Sequence, residues 1–324
     1  MKKVLKTLSV LGFGILVSCT NNENGVSSEA TTEASSTTLR RCASYEVLEA
    51  QLAADPTLRA RMDKIEDFTN KRVKDFSRFR IENGQIVIPV VVNVLYNTAA
   101  QNISDAQIQS QIDVLNEDYN GTNADFSNVP TAFSNVKATV GIKFVLQGIV
   151  RKKTTKKSWR TDDSMKKSTK GGINPTTPST VLNLWCVNSM GDVLGYAQFP
   201  GGSSATDGVV IAYKYFGRIG TVQAPYNLGR TATHEVGHWM NLRHIWGDTT
   251  CGDDYVADTP SHNTANYGTP AYPHDSTCTG TPIEMTMNYM DYVDDKAMYM
   301  FSADQKTRML AIFTSGGPRA SFAK

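Results

Sequence analysis

Three of the five histidines in this 324-residue chain crowd into one eleven-residue stretch, His234-Glu235-Val236-Gly237-His238-Trp239-Met240-Asn241-Leu242-Arg243-His244. His234 and His238 lie four residues apart, so on a helix they project from the same face one turn from each other. His244 comes six residues after His238, about 240° further round at ~100° per residue, and a continuing helix would aim it away. It can join the other two only if the chain turns sharply. Asn241 stands where that turn is needed, and after Gly it is the residue that best tolerates a left-handed helix end. Three neutral imidazoles leave a fourth tetrahedral position open to water, the pattern of a catalytic rather than a structural zinc. Glu235 falls on the side of that water. A carboxylate there can take the proton as water attacks a carbonyl, then pass it to the leaving amine. The bland alternative is a pair of helix-surface histidines beside an exposed acid, and the third histidine weighs against it.

A second element lies about fifty residues downstream, Met287-Asn288-Tyr289-Met290-Asp291-Tyr292. With it, the chain resembles the metzincin metallopeptidases, which set a methionine-containing turn beneath an extended zinc helix. Within them it is similar to the pappalysin family, through His-Glu-Val-Gly-His-Trp in the helix, Asp258-Thr259-Pro260 after it, and Asn-Tyr-Met-Asp-Tyr at the turn. The likeness runs over roughly residues 86–315. It implies that Met290 floors the three imidazoles, and that Tyr292 lies beside the zinc and stabilises the tetrahedral oxyanion through its hydroxyl. It also implies an α+β, mixed α/β catalytic domain with a twisted mixed sheet, a backing helix, the zinc helix and the Met-turn.

The chain departs from the family pattern in two places. Asn241 replaces the usual Gly, which costs little because Asn also adopts left-handed backbone. Related peptidases often carry two disulfides around the site, whereas here only Cys251 and Cys278 follow the zinc helix, with Ala297 near where a further cysteine might stand. One bridge is expected. It would close a loop rich in Gly, Asp, Thr and Pro and contribute ~3 kcal/mol, mainly by restricting the unfolded chain. By the same resemblance, Asp253, Asp254, Asp258 and Thr259 are candidates for a structural Ca2+. The Asp294-Asp295 pair, Asp295 above all, is a candidate pocket for a basic side chain just after the scissile bond. Cys42 is a candidate latency ligand, since a propeptide thiolate in the open zinc position would displace the water. It could equally be unpaired or bonded to Cys186, itself in the buried-strand pattern Val181–Val187.

The amino terminus gives a compartment. Met1-Lys2-Lys3, the apolar run Val10–Val17 and Ser18-Cys19 have the parts of a secretory signal, too short for a comfortable membrane span. Leu16-Val17-Ser18-Cys19 resembles a bacterial lipobox, which implies that Cys19 is lipidated; an ordinary signal with a chance cysteine is the alternative. Residues 20–38 are almost wholly Ser, Thr, Asn, Glu, Ala and Gly, a polar tether. An exported chain at the cell envelope or surface, in an oxidising compartment and anchored only through an N-terminal lipid, is the expectation.

Residues 39–80 read as a helical pro-segment. Tyr45, Leu48 and Leu52, then Leu58, Met62, Ile65 and Phe68, recur at helical spacing, and Asp55-Pro56 divides two helices. The basic stretch 70–80 is a plausible cleavage region, so that a catalytic domain 81–324 begins near Ile81. Within it, 85–96 is a buried strand. A capping box at Ser104–Gln107 opens a helix with Ile108, Ile112 and Leu115 on one face. Residues 142–150, 181–187 and 208–216 supply further strands. The last lies shortly before the zinc helix, and the resemblance makes it the edge strand that pairs with extended substrate. Lysine-rich 151–170 reads as a solvated loop, because an exported chain of formal net charge +2 argues against nucleic acid as partner.

These features imply a zinc-dependent endopeptidase, acting on proteins or peptides and made as a zymogen. Two other readings remain: a catalytically silent surface adhesin on the same scaffold, and a zinc amidase acting on a cell-wall substrate. Glu235 weighs against the first, since a binder has no use for a carboxylate beside the metal.

Overall fold

The computed structural model describes residues 39–74 and 85–323. The signal, Cys19, the tether and the segment around Ile81 lie outside them. Among the described residues, no helix is long and apolar enough to cross a membrane.

The core is a five-stranded sheet in which β1 (Ile86–Tyr96), β3 (Ile142–Lys153), β4 (Leu182–Val187) and β6 (Val209–Ala212) run parallel, while β5 (Gly195–Ala197) is antiparallel to β6; the order across the sheet is β3-β1-β4-β6-β5. The continuous β-branched run of β1 fits this place. It pairs on both edges, and its side chains enter two clusters, Val90, Val92 and Val94 in the larger and Leu95 in the smaller. Strands buried on both faces need this near-unbroken apolar pattern.

The backing helix α3 (Asp105–Asp118) buries Ile108, Ile112 and Leu115 as expected. Only half of its capping box forms. Ser104 Oγ accepts from Gln107 N, but the Gln107 side chain donates to the Phe216 carbonyl instead of closing the reciprocal bond. The zinc-motif helix α4 (Arg230–Trp239) lies beside α3, fastened where the Tyr119 hydroxyl donates to the Thr233 carbonyl at 3.1 Å. Ala232 and Val236 of α4 join the cluster that holds the inner residues of β1. A two-stranded pair, β2 (Lys137–Ala138) with β7 (Phe301–Ser302), precedes α5 (Ala303–Ala311).

Upstream, α1 (Ser44–Ala54) and α2 (Leu58–Lys74) break at Asp55-Pro56, and Asp55 accepts from Thr57 N at 2.9 Å. The buried face of α1 is Ser44, Val47 and Leu48, so Tyr45, expected on the apolar stripe, is exposed. Leu48, Leu58 and Met62 cluster with Phe199, and α2 packs on α5, where Arg308 grips Glu66 through two bonds of 2.8 and 2.6 Å.

Two readings of the sequence need correction. Residues 208–216 do not form the expected edge for substrate, since β6 is an inner strand; the edge nearest α4 is β5, too short at three residues to announce itself. Residues 151–170 are not simply a solvated loop. β3 continues to Lys153, and Lys166 is buried, its Nζ donating to the Thr206 carbonyl at 2.7 Å and pairing with Asp163 at 2.9 Å. A buried ammonium persists only with such partners.

Candidate metal centre

Helix α4 begins after Gly229, whose φ of 81° is left-handed, and every one of its ten residues is buried. Its end is built by the turn that the His spacing demands. Asn241 has φ 74°, and Leu242 N donates back to the Gly237 carbonyl at 3.0 Å. The chain thereby reverses and returns His244 to the other two. His238 Nε2 lies 3.1 Å from His234 Nε2 and 3.1 Å from His244 Nε2.

What orients these rings is the other nitrogen of each. His234 Nδ1 faces the Tyr289 carbonyl at 2.7 Å, His238 Nδ1 faces the Leu242 carbonyl at 2.8 Å, and His244 Nδ1 meets the Asp248 carboxylate. These oxygens only accept, so each Nδ1 carries the hydrogen and each Nε2 lone pair points inward, the tautomer a metal requires. Burial holds His234 and His238 well below the ordinary imidazole range, so both are neutral. Trp246 stacks on His244 with centroids 4.3 Å apart and planes 7° from parallel.

The Met-turn supports this cluster through consecutive carbonyls. Tyr289 O takes the His234 ring, and Met290 O accepts from Ile245 N at 3.2 Å, just past the third histidine. Met290 is fully buried beneath α4. A Cβ on Gly237 would stand 2.5 Å from Met290 Sδ, so the helix can approach the turn this closely only with glycine between its first two histidines.

Cys42 closes the remaining side. Its Sγ and one nitrogen each of His234, His238 and His244 all lie within 4.8 Å of one another, and all four residues are buried. Three imidazole nitrogens and a sulfur in that compass fit a tetrahedral zinc. Residues 41–43 lie along β5 as a short parallel addition, with Leu194 N donating to Arg41 O at 2.9 Å and Ala43 N to Gly195 O at 3.1 Å. Cys42 and Cys186 are both free thiols, which removes a bond between them.

Glu235 also faces this segment. Its Oε2 accepts from Ser44 Oγ at 2.8 Å and from Cys42 Sγ at 3.3 Å, and burial lifts its carboxyl to about 7. The Tyr292 hydroxyl, pushed well up by burial, donates to the Cys42 carbonyl at 3.1 Å, and its ring lies 4.9 Å from that of His244. Asp295 is wholly buried, with Oδ2 accepting from Leu228 N at 2.8 Å. The guanidinium of Arg40 enters to pair with it. Arg40 Nε also donates to Val293 O at 3.0 Å, and its guanidinium sits 4.7 Å over the Tyr226 ring. Asp294 is only half-buried.

The Cys251–Cys278 bridge is formed, with Cα atoms 5.7 Å apart. The expected calcium set finds no support. Among the described residues, Cys42 and the three histidines are the group gathered closely enough for one ion. Asp253 instead caps Tyr255 N, Asp254 accepts from Thr259 Oγ1 at 3.0 Å, and Asp258 is spent on Ser302 Oγ and Asp304 N at the start of α5.

Sequence reasoning missed Asp248, Trp246, Ser44, Gly195 and Arg40. Asp248, four residues after His244, offered a signal as an acid placed to orient a ligand, and Arg40 offered one as a base two residues before Cys42. Ser44 and Gly195 offered none, since both matter only through what packs on Glu235: a Cβ on Gly195 would lie 2.9 Å from Glu235 Cγ.

A family model described as pregnancy-associated plasma protein-A matches residues 181–314. An extracellular metalloprotease of Sordaria macrospora is 34% identical over 247 residues, spanning 71% of this chain and 77% of that protein. Extracellular metalloprotease 1 of Coccidioides posadasii is 34% identical, over 69% of this chain and 77% of its own. Among solved structures, Tannerella forsythia mature mirolysin in complex with a cleaved peptide is 46% identical, with TM-score 0.71, covering 74% of this chain and 95% of that one. A promirolysin mutant of the same organism is 42% identical, with TM-score 0.79, covering 87% and 97%.

Proposed function

This chain belongs to the pappalysin family of metzincin metalloendopeptidases, and from that premise we propose that it is an exported, latent zinc enzyme that cuts proteins before basic residues. The observation that carries this reading is the convergence of three Nε2 atoms, 3.1 Å apart pairwise through His238, beside the Glu235 carboxyl. His234, His238 and His244 would hold a zinc ion, which when bound would supply Lewis acidity to acidify a water and polarise a carbonyl. Glu235 receives the proton of the attacking water at its carboxylate and returns it to the leaving amine. Tyr292, still protonated, donates its hydroxyl to the developing oxyanion. The β5 edge pairs with the backbone of the substrate, as it pairs with residues 41–43 in the latent chain.

Two contacts support latency and preference together. Cys42 takes the place the water needs, and Arg40 fills the Asp295 pocket with the kind of side chain that pocket would select. Export and a lipid tether at Cys19 rest on the amino-terminal pattern, and the extracellular naming of the relatives agrees with export.

The test is digestion of an unfolded protein by the activated chain, with and without a chelator, beside Glu235→Ala. We expect chelation to abolish cleavage, the variant to lose at least ~100-fold in rate while keeping its zinc, and new amino termini to begin with Arg or Lys. Equal rates for wild type and variant would sink the mechanism; termini without a basic bias would sink the pocket assignment.

A further inference from the structure

Residues 40–42 present alternating side chains to the cleft. Cys42 turns in to the histidines and Arg40 to Asp295, so Arg41 between them projects the opposite way. Its guanidinium ends on Asp192, with Nη1 2.8 Å from each carboxylate oxygen, and Glu46 lies 3.8 Å from it. The carboxylate of Asp192 is exposed, but the backbone under it is held. It follows Gly191, whose φ of 72° turns the chain after β4, and it stands between Met190 and Val193, both buried. In the same turn Ser189 O accepts from Trp159 N at 2.9 Å. The position of Asp192 along the edge strand gives it a direction. Residues 41–43 run parallel to β5, and Arg41 O accepts from Leu194 N. Asp192 comes two residues before Leu194, so it lies toward the Arg40 end of the segment, on the Asp295 side of the metal centre. A substrate with its scissile carbonyl at the metal and its next side chain in the Asp295 pocket runs from metal to pocket, the reverse of residues 40 to 42. Its following residue lies further from the metal, alternates outward, and comes level with Asp192. The cleft there has a volume of about 500 Å³, lined in part by Arg41, Glu46, Asp192, Tyr267 and Tyr292.

We propose that Asp192 is a second specificity-determining residue of this peptidase, selecting a basic side chain at the second position after the scissile bond. The inference deepens the reading of the metal centre and the Asp295 pocket, and it rests on that reading. Among the described residues, Arg41 is the cation that pairs with Asp192, and it belongs to the segment that activation removes. Glu46 leaves with the same segment, so Asp192 is the acid that stays in this wall of the cleft. An exposed carboxylate selects by charge more than by shape. Lys and Arg are therefore both accepted there and Glu is disfavoured, by a smaller factor than the buried Asp295 imposes on the residue before it.

The experiment uses the zinc-loaded enzyme matured from the full chain and peptides with Arg fixed directly after the scissile bond. The next residue is Lys, Ala or Glu, and a parallel set varies the residue before the bond instead. We expect kcat/KM for the Lys peptide to exceed that for the Glu peptide about fivefold, carried by KM, with the gap narrowing in about 1 M sodium chloride. Asp192→Lys should reverse the order of the two peptides and Asp192→Asn should level it, whereas damage to the fold would lower every peptide together. Equal rates for Lys and Glu, with Arg in the first position still required, would overturn this inference alone. Loss of the Arg requirement would overturn the pocket reading and this inference with it. A charge preference confined to the residue before the bond would place Asp192 on the other side of the cut and overturn the assignment.

Discussion

At the scale of single residues, the metal centre is held by groups whose roles separate cleanly into donors, orienters and spacers. Tyr292 presents a hydroxyl that burial keeps protonated. Tyr292→Phe should therefore lower kcat by about 10²–10³ while leaving zinc content and KM nearly unchanged, as steady-state kinetics on a peptide would report. A parallel fall in metal content would place the residue in structure instead. Gly237 is a spacer. Gly237→Ala drives a Cβ to 2.5 Å from Met290 Sδ, and overpacking of this kind costs about 1–3 kcal/mol. We expect a lowered thermal midpoint and weaker zinc retention, with Met290→Ala restoring part of both in the double variant. An additive double variant would show that the two side chains do not meet. The meeting of His234 with His238 could be read directly from the chain, because i and i+4 spacing on a helix is a local geometric rule, whereas that of His244 needed the turn as well. Ser44 could not, since its contact with Glu235 joins residues 191 positions apart.

At the scale of elements, the turn after α4 and the strand β5 decide what the helix alone cannot. The left-handed Asn241 was foreseeable, because only a sharp reversal lets His244 meet its partners. The edge strand was not. Three residues of Gly-Tyr-Ala carry no alternation to recognise, and only the order β4-β6-β5 reveals which strand is left with a free side. That free side receives residues 41–43, an extended segment held at three points: Cys42 at the histidines, Arg40 on Asp295, and the β5 backbone. Cys42→Ala and Arg40→Ala should each raise the basal peptidase activity of the uncut chain, and the pair should raise it more than either alone. An assay on a fluorogenic peptide carrying a basic residue after the scissile bond checks this. No gain in any variant would mean that α1 and α2 alone block the cleft.

At the scale of the whole molecule, stability is spread over a doubly buried sheet, a disulfide with one half buried and a few deeply buried charges. Asp118 is one of these: burial lifts its carboxyl to about 6 despite Arg230 at 3.6 Å, and Thr233 Oγ1 donates to it at 2.7 Å. Because its folded value exceeds the ordinary carboxyl value of 3.8, the folded state favours the protonated form. The stabilisation is therefore fully present below about pH 4 and is lost as pH rises through 6. Asp118→Asn, which keeps the shape without the charge, should gain up to about 3 kcal/mol on the wild type between pH 4 and 8 in denaturant titrations. A constant difference across that range would refute the shift. The chain's own residues determined the metal-ligand spacing, the reversal at Asn241, the buried run of β1 and the division of the upstream helices at Asp55-Pro56, because each is a rule acting over a few neighbouring residues. Tertiary structure alone decided that β5 is the open edge, that Arg40 reaches Asp295, that Asp253, Asp254 and Asp258 accept hydrogen bonds at loop turns and at the start of α5, and that Lys166 is buried. Each of those outcomes depends on which distant segments pack together, and packing is settled by the burial of the whole core at once.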